Sequence, residues 1–280
     1  MSVTLVSVLM TSYNREKYIA EAIESVLAST LSNFELIIVD DCSTDNTVNI
    51  INRYLITDNR IKFYRNKKNL GQFANRNKAA KYAIGDFLKY VDSDDIIYPH
   101  TLQVMVESML RYPDAGLGFC YTQGICKAVL PYKIEPKSAI YHHYLKGGLL
   151  SVGPSGLIIR RFAFESVNNF EEFGMPSDNH LSLKIASKYP IVAMEKDLFW
   201  WRIHEGQVFI NNINNYENII YNYQFSKDII GNYSPLTMRQ NKKILFNLVK
   251  ILTFNILSII FIKFKPLVAY HLLIKLKNLQ

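Results

Sequence analysis

Cysteine is scarce in this 280-residue chain, and its placement excludes two common kinds of site. The three cysteines, Cys42, Cys120 and Cys126, are odd in number and lack the paired spacing of zinc-binding motifs. The chain also does not open with the basic, apolar and small-residue succession of a secretory signal peptide. We therefore expect reduced thiols in a cytoplasmic protein, and neither a disulfide framework nor a cysteine-held metal.

Surplus charge is missing from residues 1–238, which hold 24 basic and 24 acidic side chains. With 49% apolar and 20% charged residues, the composition is typical of a globular protein. A basic nucleic-acid groove across this part is therefore excluded, and we predict no nucleic-acid partner. The formal net charge of +8 comes from the rest of the chain, which has no acid and eight basic residues: Arg239, Lys242, Lys243, Lys250, Lys263, Lys265, Lys275 and Lys277.

The basic tail lacks a long uncharged apolar run. Lys250 interrupts the apolar stretch 244–262 and leaves the twelve residues 251–262, which are short for a bilayer span. At helical spacing, one narrow stripe of this stretch is polar: Asn247, Lys250, Asn255 and Ser258. The pattern favours basic, amphipathic helices lying on the cytoplasmic face of a membrane, continued after Pro266. The alternative is a helix pair packed on the main domain or on another subunit.

Strand-like and helix-like patterns alternate over the first 120 residues. Near-continuous apolar strands separated by helices predict an α/β fold, with a Rossmann-like, mostly parallel sheet covered on both faces. Strands are predicted at 3–13, 34–41, 61–66 and 87–91, and helices at 18–28, 46–54 and 72–83. The turn after the first strand, TSYNREKY, has no glycine, which argues against a dinucleotide-dependent oxidoreductase.

Acidic or aromatic side chains follow three of these strands, at Tyr13, at Asp40–Asp41 and at Asp92–Asp95. The carboxyl ends of parallel strands form the ligand-binding edge of such a sheet. Three carboxylates in the four residues of the last cluster repel one another unless a cation neutralises them. Hard oxygen ligands of this kind suit Mg²⁺ or Mn²⁺. The alternative is a solvated acidic turn at a helix N-terminus.

Four segments in order, VSVLMTSYNREKYIAEAIESVL, ELIIVDDCSTDNT, NLGQFANRNKAA and FLKYVDSDD, resemble the N-terminal half of a family 2 glycosyltransferase of the GT-A fold. The resemblance covers about residues 5–205. It implies a catalytic domain at residues 1–210, followed by a helical, basic and amphipathic C-terminal extension at residues 211–280.

The resemblance implies that a nucleotide-diphosphate sugar binds across the strand ends. Tyr13 would supply a stacking face, Asp40 would accept a hydrogen bond from a uracil-type imide, and Arg76 would face the base or the diphosphate. The residues implied in donor binding are Thr11, Tyr13, Asp40, Arg76, Asp92 and Ser93.

The same resemblance implies a metal site for Mn²⁺ or Mg²⁺. Asp94 would hold the ion with help from Asp95, and His204, in the segment WWRIHEG, matches a position near the phosphates or the metal. The alternative for His204 is a structural role. The bound ion would stabilise the negative charge that develops as the nucleotide leaves.

The resemblance also implies a catalytic base, at Asp178 in NNFEEFGMPSDNHLSLKIA. An acceptor alcohol is a weak nucleophile unless a base takes its proton. Ser177 stands where the family usually has Glu, so Glu171 and Glu172 stay possible alternatives. A plain helix cap is the structural interpretation of Asp178.

The resemblance therefore implies an inverting, metal-dependent glycosyltransferase. It would move a sugar, expected from a UDP-sugar, to a hydroxyl of a saccharide or lipid-linked acceptor in cell-surface polysaccharide synthesis. The alternative is a non-catalytic nucleotide-sugar-binding protein of the same fold. A phosphatase with a nucleophilic aspartate would leave the Asp40–Asp41 pair and Arg76 unexplained.

Overall fold

The computed structural model describes residues 5–120, 128–174, 177–205, 207, 216–263 and 265–277. The strands in these ranges are β1 (Val6–Ser12), β2 (Phe34–Asp40), β3 (Ile61–Arg65), β4 (Phe87–Tyr90), β5 (Ile96–Ile97), β6 (Leu117–Cys120), β7 (Tyr132–Ile134), β8 (Leu157–Arg160), β9 (Ile191–Met194) and β10 (Phe199–Trp200). The helices are α1 (Ile19–Leu27), α2 (Thr47–Leu55), α3 (Gln72–Lys81), α4 (Thr101–Leu110), α5 (Pro136–His142), α6 (Arg161–Glu165), α7 (Ser177–Lys188), α8 (Glu217–Asp228), α9 (Met238–Phe261) and α10 (Pro266–Lys277). Single turns of π-helix follow α5 (His143–Gly147) and α8 (Ile229–Tyr233), and a 3₁₀ turn (Pro154–Gly156) precedes β8.

The strands and helices predicted for the first hundred residues all form, with ends within three residues of the prediction. β1, β2 and β4 are buried at nearly every position, as expected of strands covered on both faces. Eight strands make one sheet in the order β3-β2-β1-β4-β8-β6-β9-β7. β8 and β7 run antiparallel to their neighbours, and the other pairings are parallel. The prediction of a mostly parallel, Rossmann-like sheet flanked by helices is confirmed.

The sheet separates two apolar layers. Because side chains alternate along a strand, β1 contributes Leu9 to one layer and Val8 and Met10 to the other. The layer that contains Leu9 also holds residues of α3, α5 and α7, whereas α1, α2 and α4 cover the opposite face. The parallel strands β3, β2, β1 and β4 therefore point their carboxyl ends to one edge, between the two helical layers.

The C-terminal helices join the main core through the end of α8 and the start of α9. Phe225, Ile229 and Ile244 belong to the same apolar layer as Leu9. The start of α8, the later turns of α9 and α10 pack on one another around a separate small core: Ile220, Leu252, Ile256, Ile259, Ala269 and Leu272. The predicted domain boundary, between residues 210 and 211, lies outside the described residues, and the division into two domains stays a prediction.

α9 is longer than its uncharged run suggests. Thr237 begins the helix with a capping box, in which the Gln240 backbone donates to the Thr237 side chain and the Gln240 side chain accepts from the Thr237 backbone. The helix then continues through Lys250 for 24 residues. It is long and apolar enough to cross a membrane by length and composition, with a mean hydropathy of 2.1 over 18 residues. The expectation that this segment is too short for a span is thus not supported by the helix itself.

Candidate active site

The site lies where β1, β2 and β4 end. β1 is central, since it pairs Ser12 with Asp40 of β2 and Leu9 with Tyr90 of β4. The predicted donor-binding residues therefore meet at one edge of the sheet, as the order of the motifs indicates. Tyr13, just past β1, is 45% exposed, so its ring is open to stacking on a nucleobase. Its predicted role fits this position.

Asp40 is at this edge but its side chain is enclosed. It is 0% exposed, and its oxygens accept hydrogen bonds from Ser12 Oγ at 3.2 Å, from the Ser43 backbone at 2.8 Å and from Ser43 Oγ at 2.5 Å. Arg65 Nε lies 3.6 Å away. A carboxylate already bonded in this way holds the turn after β2, so its contact with a uracil-type imide stays a prediction that needs a rearranged turn.

Asp41 holds the loop that leads into α3. Its carboxylate accepts from Asn66 Nδ2 at 2.7 Å and from the backbones of Leu70 at 2.8 Å and Gly71 at 2.9 Å. Gly71 has φ of +86°, a conformation that glycine adopts without strain. The second aspartate of the pair thus positions the start of α3, the helix that carries Arg76.

Arg76 is the centre of the site, and its surroundings differ from the prediction. Its side chain is 3% exposed, with Nη1 2.5 Å from Asp178 Oδ1 and Nη2 2.7 Å from Asp92 Oδ1. Both terminal nitrogens of the guanidinium are therefore directed at carboxylates of the chain. The predicted contact with a base or diphosphate stays untested, but in this structure Arg76 joins the predicted catalytic base to the first aspartate of the metal motif.

Asp178 lies in the first turn of α7, but it does not cap the helix. Its Oδ1 accepts from Arg76, and its side chain is 18% exposed, so it is reachable from the sheet edge. Ser177, the residue that replaces the family's Glu, holds the preceding turn, since its Oγ donates to the Gly174 carbonyl and accepts from the Phe173 backbone, both at 2.8 Å. Burial raises the pKa of the Asp178 carboxyl above its usual value, and the charge of Arg76 opposes that rise.

The alternative bases are less well placed. Glu171 forms an ion pair with Lys184, a buried residue on α7. Glu172 is exposed. Of the three candidate carboxylates, Asp178 is the one that shares an arginine with Asp92, which is predicted to bind the donor.

Asp94 faces two nitrogen donors. Its Oδ2 lies 3.0 Å from His204 Nε2 and 3.2 Å from Arg15 Nε. The histidine comes from 110 residues along the chain, so the structure brings together the two predicted ligands. Arg15 was missed by the sequence analysis. The signal was its position in TSYNREKY, directly after β1, where a positive charge opposes the acidic cluster.

The Asp95 carboxylate is buried and already accepts hydrogen bonds from other parts of the chain. It accepts from Ser155 Oγ at 2.6 Å and from the Arg202 backbone at 3.3 Å. Burial and the neighbouring Asp92 raise the pKa of its carboxyl to about 7. Ser155 also accepts from the Asp92 backbone at 3.1 Å, and its carbonyl accepts from the fully buried Lys89. Ser155, like Arg202, was missed, because nothing local in GGLLSVGPSG shows which carboxylate the serine reaches.

The residues present fit a divalent cation that takes few protein ligands. In the described part of the chain, no three His, Cys, Asp or Glu side chains cluster closely enough to enclose an ion. Asp94 and His204 offer one oxygen and one nitrogen ligand. Mg²⁺ commonly takes one or two carboxylates and completes its shell with phosphates and water. Ser93 is buried, at 4% exposed, and its predicted contact with the donor stays untested.

A cavity of about 580 Å³ lies next to the Asp94 carboxylate. Arg15 and His204 line it, together with Asn14, Glu16, Lys17, Tyr18, Asp45 and Glu205. The ring of Tyr18 lies against that of His204, with centroids 4.3 Å apart. The cavity is of nucleotide size, and its charged lining is mixed: Arg15 and Lys17 are basic, whereas Glu16, Asp45 and Glu205 are acidic.

Comparisons with known proteins find glycosyltransferases. Among relatives, an uncharacterized glycosyltransferase of Methanocaldococcus jannaschii is 30% identical over an alignment of 290 residues, which covers 99% of this chain and 95% of that protein. The Escherichia coli enzyme named UDP-Glc:alpha-D-GlcNAc-diphosphoundecaprenol beta-1,3-glucosyltransferase WfgD is 32% identical over 195 residues, 66% of this chain and 76% of that one.

Solved structures show the same fold. S. aureus TarS residues 1–349 in complex with UDP-GlcNAc superposes with a TM-score of 0.69 at 21% identity, over 88% of this chain and 71% of that one. The mannosyltransferase PcManGT of Pyrobaculum calidifontis, in complex with GDP-Man and Mn²⁺, superposes with a TM-score of 0.64 at 17% identity, over 98% of this chain and 79% of that one. The family model for glycosyl transferase family 2 matches residues 7–167. The chain therefore belongs to glycosyl transferase family 2.

Proposed function

We propose that this glycosyltransferase is metal-dependent and inverting, and that it moves a sugar from a UDP-sugar to a hydroxyl of a saccharide or lipid-linked acceptor in cell-surface polysaccharide synthesis. The proposal rests on the two ion pairs of Arg76, one with the base candidate Asp178 and one with Asp92, the aspartate assigned to donor binding. The name of the relative WfgD, a glucosyltransferase acting on a diphosphoundecaprenol-linked sugar, supports a UDP-sugar donor and a lipid-linked acceptor.

The proposed reaction uses the free oxygen of Asp178. Among the described residues, Asp178 Oδ1 bonds to Arg76 and Oδ2 has no hydrogen-bond partner. Oδ2 would take the proton of the acceptor hydroxyl while the hydroxyl oxygen attacks C1 of the sugar and the bond from C1 to the diphosphate breaks. Attack from the face opposite the leaving nucleoside diphosphate inverts the configuration at C1.

The negative charge that develops on the leaving diphosphate would be stabilised at the end of the site that contains Asp94 and His204. Asp94 and His204 would hold the divalent cation, which offsets negative charge on the diphosphate when bound. Arg15 and Lys17, both lining the adjoining cavity, place two further positive charges next to it. Tyr13, exposed past β1, would stack on the nucleobase.

Donor binding is tested by thermal stabilisation. We expect a UDP-sugar to raise the melting temperature in the presence of Mn²⁺ and much less without it, since a ligand that binds only the native state stabilises it by about 2.7 kcal/mol at a hundred times its Kd. GDP-, ADP- and CMP-sugars, each with and without Mn²⁺, are the controls. Stabilisation by none of them would contradict the proposal.

The non-catalytic alternative is separated by turnover. A nucleotide-sugar-binding protein of this fold would show the same stabilisation yet release no nucleotide in the presence of any acceptor. The feature on which it depends is Ser177, which stands where the family has Glu. Because Ser177 holds the turn before α7 through two hydrogen bonds, this substitution leaves Asp178 well placed.

We also propose that the C-terminal helices contact the cytoplasmic face of a membrane. α9 and α10 use one side for their shared core and leave a second apolar side uncovered. The exposed residues of this outer face are Phe246, Val249, Ile251, Phe254, Leu257, Phe261, Leu267, Tyr270, Leu273 and Ile274. Of the polar stripe, Asn247, Asn255 and Ser258 are only partly exposed, whereas Lys250 is exposed among these apolar side chains.

Charge supports a lipid surface as the occupant of this face. All eight surplus basic residues lie at positions 239–277, on or next to α9 and α10. Each basic residue close to an anionic leaflet contributes on the order of 1 kcal/mol, and salt screens it. A protein partner would have to match both a broad apolar surface and this uniform charge.

We expect the full-length protein to sediment with vesicles that contain anionic lipid, and to be released in part by high salt. Replacing Phe246, Phe254 and Phe261 together by Gln should abolish binding, because each side chain is at least 66% exposed and its loss removes apolar contact without opening the core. Removing residues 239–280 should have the same effect while donor binding survives.

The matched control is replacement of Lys250, Lys263 and Lys265 by Gln, which should weaken binding to anionic vesicles and leave binding to neutral ones unchanged. Equal sedimentation of the triple-Phe variant and the wild type would contradict membrane contact through this face. A stable dimer that the triple-Phe variant breaks, with no lipid binding, would assign the face to a second copy of the chain.

A further inference from the structure

Arg76 is more deeply buried than a substrate-binding arginine needs to be. The whole residue is 2% exposed, and its guanidinium carbon lies 5.7 Å from the ring centre of Phe73 and 5.8 Å from that of Phe170. Tyr90 Oη donates to its backbone carbonyl at 3.1 Å, which holds that turn of α3 against β4. The rings of Phe73 and Phe170 and the hydrogen-bonded backbone therefore restrict the orientation of the guanidinium.

A charge this deep requires partners. Removing an ion from water costs several kcal/mol unless opposite charges and hydrogen bonds replace the solvent. Arg76 is compensated by Asp92 and Asp178, each bonded to a different terminal nitrogen. The two carboxylates lie 86 residues apart in sequence, on the loop after β4 and on α7, so the arginine is the group through which these elements meet.

We propose that Arg76 is a positioning residue for the transfer reaction: it keeps Asp178 ionised, turns its free oxygen towards the acceptor, and ties the base to the donor-site residue Asp92. This inference rests on the proposed function. The planar fork of arginine can bond two carboxylates at a fixed angle, whereas a lysine offers a single point charge. The distance between base and donor is thus set by one side chain.

The proposal has a consequence for pH dependence. The charged and titratable groups that face Asp178 are Arg76 from α3, Asp92 from the loop after β4, and the buried Tyr90 from β4. Burial raises the pKa of Asp178, Asp92 raises it further, and Arg76 lowers it. Removing the arginine charge must therefore raise the pKa of Asp178. Because a protonated base cannot accept the acceptor's proton, transfer should then be lost at a higher pH than in the wild type.

The variants Arg76→Gln and Arg76→Lys separate charge from geometry. In Arg76→Gln we expect the acidic limb of the kcat profile to move up by about 1–3 pH units, the usual effect of a neighbouring arginine on an aspartate. Transfer at neutral pH should fall by about 10²-fold, the scale expected of a misplaced catalytic group. In Arg76→Lys the limb should stay close to that of the wild type while kcat falls. The Kd for nucleotide should change little in either variant.

Two further measurements make the test decisive. In an Asp178→Asn background, Arg76→Lys should cost almost nothing more, because a positioning residue has no effect once its target is gone. Carboxyl ¹³C NMR of Asp178 in the nucleotide-free protein should show the same upward pKa shift in Arg76→Gln, with no turnover involved. Arg60→Gln is the matched control, since Arg60 is also ion-paired, to Asp58, but lies before β3 at the opposite end of the sheet.

The outcomes distinguish this inference from the function on which it rests. A pH profile and an Asp178 pKa unchanged in Arg76→Gln would overturn the positioning role, whatever the enzyme's substrate. Loss of nucleotide binding with kcat unchanged would return Arg76 to the predicted donor contact. If Arg76→Gln fails to fold, Arg76→Lys decides: equal losses in the wild-type and Asp178→Asn backgrounds would contradict the proposal. An inactive wild type with a shifted Asp178 pKa would contradict the proposed function alone.

Discussion

Asp178→Asn is expected to lower sugar transfer by about 10²-fold or more, the usual scale for losing a positioned general base. The amide keeps the size of the side chain and can still accept from Arg76, but it cannot take a proton from the acceptor. Donor binding should survive, because Asp94, His204 and Tyr13 are unchanged. The measurement is kcat for transfer beside the Kd for nucleotide with Mn²⁺. In the wild type, activity should rise with pH through the pKa of Asp178, since only the carboxylate is a base.

Glu171→Gln and Glu172→Gln are the controls. Glu172 is exposed, and its variant should be close to wild type. Glu171→Gln leaves the buried Lys184 without its partner, so we expect lower thermal stability but retained transfer below the melting temperature. Wild-type transfer by Asp178→Asn together with loss in either glutamate variant would place the base upstream.

Asp94→Ala is expected to weaken Mn²⁺-dependent nucleotide binding by at least about 10-fold and to nearly abolish transfer, because removing a metal ligand must cost no less than the 10–100-fold lost with an outer-shell partner. His204 and Arg15 would then lose the carboxylate that both side chains contact. Calorimetry of UDP binding, with Mn²⁺ and with EDTA, measures the effect. The difference between the two conditions should shrink in the variant.

Asp95→Ala should reduce the same difference, with an added loss of stability. Ser155 Oγ and the Arg202 backbone both donate to Asp95, and removing it leaves these donors unsatisfied at a cost of about 1–3 kcal/mol each. Asp114→Ala removes an exposed aspartate that pairs with Lys133 and is the control for the loss of a negative charge. Unchanged Mn²⁺-dependent binding in the Asp94→Ala, Asp95→Ala double variant would show that the metal, if any, binds elsewhere.

The strands and their shared edge could be predicted because the signals are local. Near-continuous apolar runs such as FELIIVD and FLKY favour strands covered on both faces, and parallel strands bring their carboxyl ends to one edge. For this reason the order of the motifs alone predicts that Tyr13, Asp40 and Asp92 lie close together. The candidate base was inferred in a different way: the position of Asp178, at the start of a helix, matches the family's pattern.

The partners of these residues were not predictable, because each pair joins distant segments. Arg76 is 102 residues from Asp178, and Ser155 is 60 from Asp95. A sequence shows that a side chain can bond but not what lies across the fold from it. The resemblance implied that Arg76 faces the base or the diphosphate, and nothing in the sequence indicated its two carboxylate partners.

The amino-acid sequence by itself determined the order of strands and helices, the edge at which the site forms and the charge of the tail, since these depend on apolar periodicity and on composition along short segments. The tertiary structure decided which carboxylates are free and which are already bonded, and which side of α9 faces outward. Those outcomes depend on burial, where each polar group must find a partner from another part of the chain or remain open to a substrate.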